Sequence, residues 1–227
     1  MSDVDSSSAS SQPSADGVVV APVRKRPKPG ERRVQILQAL ATMLEQPGSE
    51  RITTAALAAR LDVSEAALYR HFASKAQMFE GLIEFIEQSV FSLINQISER
   101  ERTGGMPDSS DNAQTGSRLA AKVVAMVMQF AEKNPGMTRV MVGDALVFEN
   151  DRLQQRMNQF FDKIESTFRQ NLRGSVDLSG SATPSLDTQI QASVLTAFLV
   201  GRLQRFARSG FKRLPSEHLD ASLALIL

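Results

Sequence analysis

The chain has 227 residues, of which 42% are hydrophobic and 22% charged, with a formal net charge of +1 and no cysteine. That length supports one large or two small domains with their own cores, and the missing cysteines exclude a disulfide framework and thiolate chemistry. No stretch approaches the ~18 apolar residues of a membrane span, and the early run Val18 to Val23 is too short for a secretory core segment, so a cytoplasmic protein is expected.

Charge is uneven along the chain. Residues 1–23 carry three acids and no bases, residues 24–75 ten bases and five acids, and residues 76–227 sixteen bases and seventeen acids. A basic segment ahead of a near-neutral remainder points to a polyanion contact at one end, although a solvated basic face has the same composition. Residues 1–30, rich in Ser, Pro, Ala and Gly, read as a disordered tail. It ends in Arg24, Lys25, Arg26 and Lys28 among prolines, an arm suited to DNA phosphates or a minor groove.

From Glu31 onward Val34, Ile36, Leu37, Leu40, Met43 and Leu44 recur at helical spacing, and Pro47-Gly48 stops this first helix. Thr53 or Thr54 caps a short second helix with Leu57, Ala58 and Leu61 inward. Asp62-Val63-Ser64 makes a tight turn, and Ser64 caps a third helix reaching Phe72. Ser74 and Gln77 form a capping box that opens a fourth helix, running past Ile97. Polar loops are expected over 101–117 and 174–185. Further helical stretches cover Leu119–Phe130, Met137–Phe148, Leu153–Leu172 and Ile190–Phe206, with a last helix after Pro215. The sum is nine helices, three small and six longer, without strand-like alternation; the expected fold class is all-α.

The segment from Thr53 to Lys75 has the physics of a helix-turn-helix. Its first helix uses Ala55, Ala56, Ala58 and Ala59, small enough for a close crossing. Val63 and Leu68 fill the gap between the two helices. The second helix opens on Glu65, Ala66 and Ala67, with little bulk to keep it out of a major groove, where base edges are distinguishable. Thr53 and Thr54 offer hydroxyls at a helix start, where amides favour an anion. Tyr69 and His71 have donors for phosphates, and Lys75 sits at another helix start. Ser64, Glu65, Ala66, Tyr69 and Arg70 are candidates for base readout, whereas phosphate contacts fix register. An ordinary helical hairpin shares the pattern of short helices, and Phe72 reads as core.

The Val63-Ser64 turn, the run Leu68-Tyr69-Arg70-His71-Phe72 and the following Ser74-Lys75 resemble the signature of the TetR family. Residues 51–75, 78–89 and 134–165 are, further, similar to the nucleoid occlusion factors within that family. The resemblance covers most of residues 31–173 and, more loosely, 190–215; the tail before Glu31, both polar loops and the end after Pro215 depart from it. It implies a helix-turn-helix domain over residues 31–75 and a helical dimerisation and partner-binding domain over 76–227. It implies a homodimer on a palindromic chromosomal site of double-stranded DNA. It also implies that the DNA-bound protein engages FtsZ, antagonises its polymers and keeps the septum off the nucleoid.

TetR-type dimers pair through their last two long helices. Val194, Leu195, Phe198, Leu199 and Leu203, with Gly201 as the small residue, form the apolar stripe expected at that interface; packing inside the subunit is the other role open to the same stripe. For FtsZ the expected surface is the exposed face of the fourth helix and its neighbour, with Glu84, Phe85, Gln88, Lys133 and Asn134; core packing is the plainer role for Phe85.

Three rival readings remain. A ligand-responsive TetR repressor would line a pocket with Met126, Met128, Met137, Met141 and Met157, residues that equally make a plain core. An enzyme lacks support: there is no Walker or dinucleotide glycine pattern and no HExxH pair, and His71 and His218 lie far apart in sequence. No cofactor or metal is expected. A structural adaptor without a DNA role is the third.

Overall fold

The computed structural model describes residues 30–46, 52–104, 112–177 and 182–227; the expectations for the N-terminal tail and its arm fall outside them. Nine α-helices and one 3₁₀ turn make up the described residues, with no strand among them. The helices are α1 (Glu31–Leu44), α2 (Thr54–Arg60), α3 (Glu65–Tyr69), α4 (Lys75–Gly104), α5 (Asn112–Lys133), α6 (Pro135–Met141), α7 (Asp151–Asp177), α8 (Pro184–Arg208) and α9 (Leu219–Leu223). No helix among the described residues is long and apolar enough to cross a membrane.

Helix ends follow local chemistry. The Ser74 hydroxyl accepts from the Gln77 N–H (3.2 Å), and the Gln77 side chain accepts from the Ala73 N–H (2.8 Å). Gln77 thus reaches one residue further back than a standard capping box. Pro135 and Pro184 stand in the first turns of α6 and α8, where a missing N–H costs nothing.

Several boundaries differ from the expected ones. The third helix stops at Tyr69, so Phe72 is buried from a turn rather than a helix. The expected helix from Met137 to Phe148 is two pieces, because Gly143 adopts φ +84°, a conformation open chiefly to glycine. The 3₁₀ turn Asp144–Leu146 follows, and Val147 and Phe148 are left exposed. The polar loops are shorter than expected: α4 runs to Gly104 and α7 to Asp177, while α5 begins at Asn112 and α8 at Pro184. Of the last six helices, α6 and α9 are short, not long.

One continuous core joins all nine helices. α7 supplies it with Leu153, Met157, Phe160, Ile164, Phe168 and Leu172, a stripe at three- and four-residue spacing. α7 packs most extensively on α8 and α5. Met128, Met137, Met141 and Met157 are buried in this core and Met126 packs on its edge, the plain-core role. α5 folds back along α4, and Glu101 near the end of α4 pairs with Arg118 (3.2 Å) and Lys122 of α5.

The N-terminal helices dock on this body through α1. Ile36, Leu40, Ala41 and Leu44 form its buried stripe. α1 lies so close to α6 that a Cβ on Gly136 would stand 1.9 Å from the Ala41 carbonyl oxygen. Arg33 donates to the His71 carbonyl (2.6 Å) and stacks 4.1 Å over the Phe72 ring, tying α1 to the turn after α3.

The stripe expected at the dimer interface is corrected by the packing. Leu195, Leu199 and Leu203 are fully buried within the subunit. One residue is ~100° around a helix, so Ile190, Val194, Ala197 and Gly201 form a separate stripe. Ile190 and Val194 are 53% and 46% exposed, and Phe198 is half-buried beside them.

Candidate nucleic-acid interface

α2 and α3 meet around little bulk. Leu57 and Ala58 of α2 and Leu68 of α3 are buried, and Leu61 and Val63 pack on the edge of the same core. The expected small crossing face is only partly used, since Ala55, Ala56 and Ala59 point outward. Asp62 makes the turn with φ +53°, a left-handed conformation that Asp tolerates better than most residues.

Two capping hydroxyls lie at the helix starts. Thr53 accepts from the Ala56 N–H (3.2 Å) and Ser64 from the Ala67 N–H (3.3 Å). Capping uses a lone pair on each oxygen and leaves the O–H hydrogen free to donate outward. Thr54 instead donates to Glu65 (2.6 Å), linking α2 to α3. That bond occupies both side chains, which are therefore less available to a duplex than Thr53 and Ser64.

On α3 the outward residues are Glu65, Ala66 and Tyr69, followed by Arg70 at the C-cap. Tyr69 is 45% exposed, a large amphipathic side chain left partly in solvent. His71 is half-buried, with its carbonyl held by Arg33. Glu65, Ala66, Tyr69 and Arg70 are thus all exposed, and α3 buries only Leu68.

Lys75, expected at a helix start, is engaged within the subunit. It is the first residue of α4, and its ammonium pairs with Glu149, just before α7; the side chains are 28% and 9% exposed. Its ammonium also lies 5.7 Å from the Phe79 ring centre. Sequence alone gives no signal for Glu149, which is 74 positions away. The docking partners Arg33 and Gly136 are likewise visible only in three dimensions.

Along α4, Glu84, Phe85 and Gln88 share an exposed face. Gln88 donates to Glu84 (3.2 Å), and Phe85 is 42% exposed, so core packing is not its role in the subunit. Lys133 is exposed at the end of α5, and Asn134 at the α5–α6 corner donates back to the Phe130 carbonyl (2.7 Å). The antiparallel course of α4 and α5 returns this corner towards the first half of α4. Among the described residues no cluster of three His, Asp or Glu is placed to hold a metal ion.

Residues 36–82 match the family described as bacterial regulatory proteins, tetR family, and residues 113–227 match the tetracyclin repressor-like C-terminal domain of the SlmA-like type. The chain is 50% identical over 194 residues to the nucleoid occlusion factor SlmA of Photobacterium profundum, covering 85% of this chain and 92% of that one. It is 49% identical to the factor of the same name from Vibrio cholerae, over 86% of this chain and 93% of the relative. Among solved structures, the transcriptional regulator FadR from Bacillus subtilis in complex with stearoyl-CoA superposes with a TM-score of 0.61 at 15% identity, over 85% of this chain and 96% of that one. That likeness carries the fold alone. The relatives are regulators rather than enzymes, and their similarity covers the residues after the helix-turn-helix as well as the helix-turn-helix itself. The chain therefore belongs to the tetR family of bacterial regulatory proteins, within the group of nucleoid occlusion factors named SlmA.

Proposed function

We propose that the protein binds a palindromic chromosomal site as a two-fold dimer and, when bound, antagonises FtsZ polymers so that no septum forms over the nucleoid. The carrying observation is the outer face of α3. Ala66, Tyr69 and Arg70 stand outward there beside Glu65, which Thr54 engages, and the flanking Thr53 and Ser64 hydroxyls can still donate. A helix presented in this way enters a major groove with its N-terminal residues on base edges. Thr53, Ser64, His71 and Lys75 then hold the backbone on either side, and Thr54 with Glu65 sets the angle between α2 and α3.

Dimerisation supplies the second reading head. Ile190, Val194 and Gly201, with the edge of Phe198, make the partner-facing stripe of α8 in this reading. Two heads roughly 34 Å apart then meet successive turns of one duplex. The FtsZ surface is the exposed α4 face of Glu84, Phe85 and Gln88, continued at Lys133 and Asn134. An exposed aromatic ring rimmed by polar groups suits an extended peptide of mixed character.

The test is sedimentation of FtsZ polymers with the protein and a duplex carrying its site. Polymer amount or form should change, and change more with DNA than without. Unaltered polymers with DNA bound would leave a DNA-binding repressor. A genome-wide map of bound sites separates the same outcomes: sites spread over many loci but absent near the replication terminus fit occlusion, and one site beside a neighbouring gene fits local repression.

A further inference from the structure

Ion pairs join α4 to α7 and the segment before it. Glu87 pairs with Arg156 and Lys163 (both 3.2 Å), and Glu80 pairs with Arg152. In these pairs the acid is on α4 and the base on α7. At the head of the series the polarity reverses: α4 contributes Lys75 and the segment before α7 contributes Glu149. A cation there is out of keeping with the zipper beneath it, but it is what a helix start beside a reading head needs for a phosphate.

The Glu149 carboxylate is largely buried and engages a Lys75 ammonium that is itself partly exposed. The residues before it, Val147 and Phe148, are 62% and 65% exposed. Ala145 and Leu146 anchor the start of the segment in the core, whereas Val147 and Phe148 add little packing, and the Lys75 pair is the side-chain tether at the segment's far end. A Lys ammonium has three hydrogens, but a carboxylate and a phosphate at one ammonium repel each other. Occupancy by one weakens the hold of the other.

We infer that Glu149 is a positioning residue for DNA binding: it holds Lys75 in the free protein and yields it to a phosphate when a duplex arrives. Loosening of the exposed stretch from Val147 to Asn150 accompanies that exchange. The inference rests on the DNA-binding reading above and adds a consequence to it. By linkage, whatever stabilises the Lys75–Glu149 pair weakens duplex binding, and duplex binding frees the segment by the same factor.

The experiment is a double-mutant cycle with the full chain and a random-sequence duplex at low ionic strength, since a phosphate contact carries no sequence preference. Glu149→Gln should tighten binding about five-fold, the low end of ordinary coupling between sites. In a Lys75→Ala background the same change should gain little. Glu149→Asp, which keeps the charge, should bind nearer the unaltered protein than Glu149→Gln does. Amide exchange over residues 147–150 should rise on adding duplex to the unaltered protein, and should already be raised in Glu149→Gln.

Weaker binding by Glu149→Gln would mean that Glu149 props Lys75 towards the phosphate, and would overturn the inference. An equal gain in the Lys75→Ala background would overturn it too, as general removal of negative charge near DNA. Should the unaltered protein fail to bind duplex, the DNA-binding reading itself falls. Binding unchanged by Lys75→Ala removes the phosphate contact at Lys75, and the inference with it, while leaving the remaining DNA contacts standing.

Discussion

The reading head and the body are held together by different means. α2 and α3 bury only Leu57, Ala58 and Leu68, and most of their other residues face outward. α7 alone buries Leu153, Met157, Phe160, Ile164, Phe168 and Leu172. At ~1.5–3 kcal/mol for each large side chain fully buried, α7 carries several times the stabilisation that the two short helices supply. The head keeps residues free for a duplex by giving up core. It compensates at its seam with the body, where α1 rests on α6 and Phe72 rests on α4. Stability and contact residues are thus separated in space, and substitutions should sort by which side of the seam they touch.

The largest effect is expected in the body. Leu199→Ala removes a fully buried side chain and should lower unfolding stability by about 2–5 kcal/mol, read by urea or thermal denaturation. Val194→Ala, on the outer stripe of the same helix, should cost the subunit far less and act on dimer dissociation instead. Equal losses of subunit stability would break the assignment of two faces to α8.

The seam comes next. Gly136→Ala would drive a Cβ into the Ala41 carbonyl at 1.9 Å, backbone against backbone, so α1 and α6 must separate. Overpacking of this kind costs about 1–3 kcal/mol, and duplex affinity should fall because the head is displaced. Gly81→Ala sharpens the test, since its Cβ would meet the edge of the buried Phe72 ring at 3.1 Å, a contact relieved by a shift of a few tenths of an ångström rather than by parting two helices. The expected order of melting temperatures, highest first, is unaltered protein, Gly81→Ala, then Gly136→Ala. A smaller effect, about 1 kcal/mol, is expected of Ser64→Ala, which removes the cap of α3. Faster amide exchange confined to α3 would confirm it, and exchange spread over the whole chain would place the effect elsewhere.

The same division explains what was legible in the sequence. Caps, turns and the motif from Thr53 to Lys75 are local, so Ser64 could be assigned as a cap, and the other cap narrowed to Thr53 or Thr54, from neighbouring residues alone. The stripe of α8 is local in period but not in direction. A helix packed in a bundle and also facing a partner has two apolar faces, and periodicity does not say which is inward. That is why Leu195, Leu199 and Leu203 read as an interface although they are core. Gly143 breaks an apolar run whose period looks continuously helical. Glu149 and Gly136 act on residues far along the chain, at Lys75 and Ala41, and no spacing rule reaches that distance.

The smallest effect lies at the far end of the body, where the head should not sense it. The Glu101 carboxyl is held below its ordinary value of 4.5 by the hydrogen bond from Lys122, against the opposing pull of burial, and further by the charges of Lys122 and Arg118. A carboxyl depressed in the folded state contributes stability that is fully present above its unfolded value and lost as pH falls through its folded value. The stability difference between the unaltered protein and Glu101→Gln should therefore be constant above the ordinary carboxyl range and shrink below it. Its size at neutral pH should be under about 1 kcal/mol, because the partner cations are half in solvent. Amide exchange at the end of α4 should follow the same curve while exchange in α2 and α3 does not. A difference that stays level with falling pH would mean that the α4–α5 hairpin is closed by packing alone, and an equal response in α3 would mean that the seam transmits strain from the far end of the body.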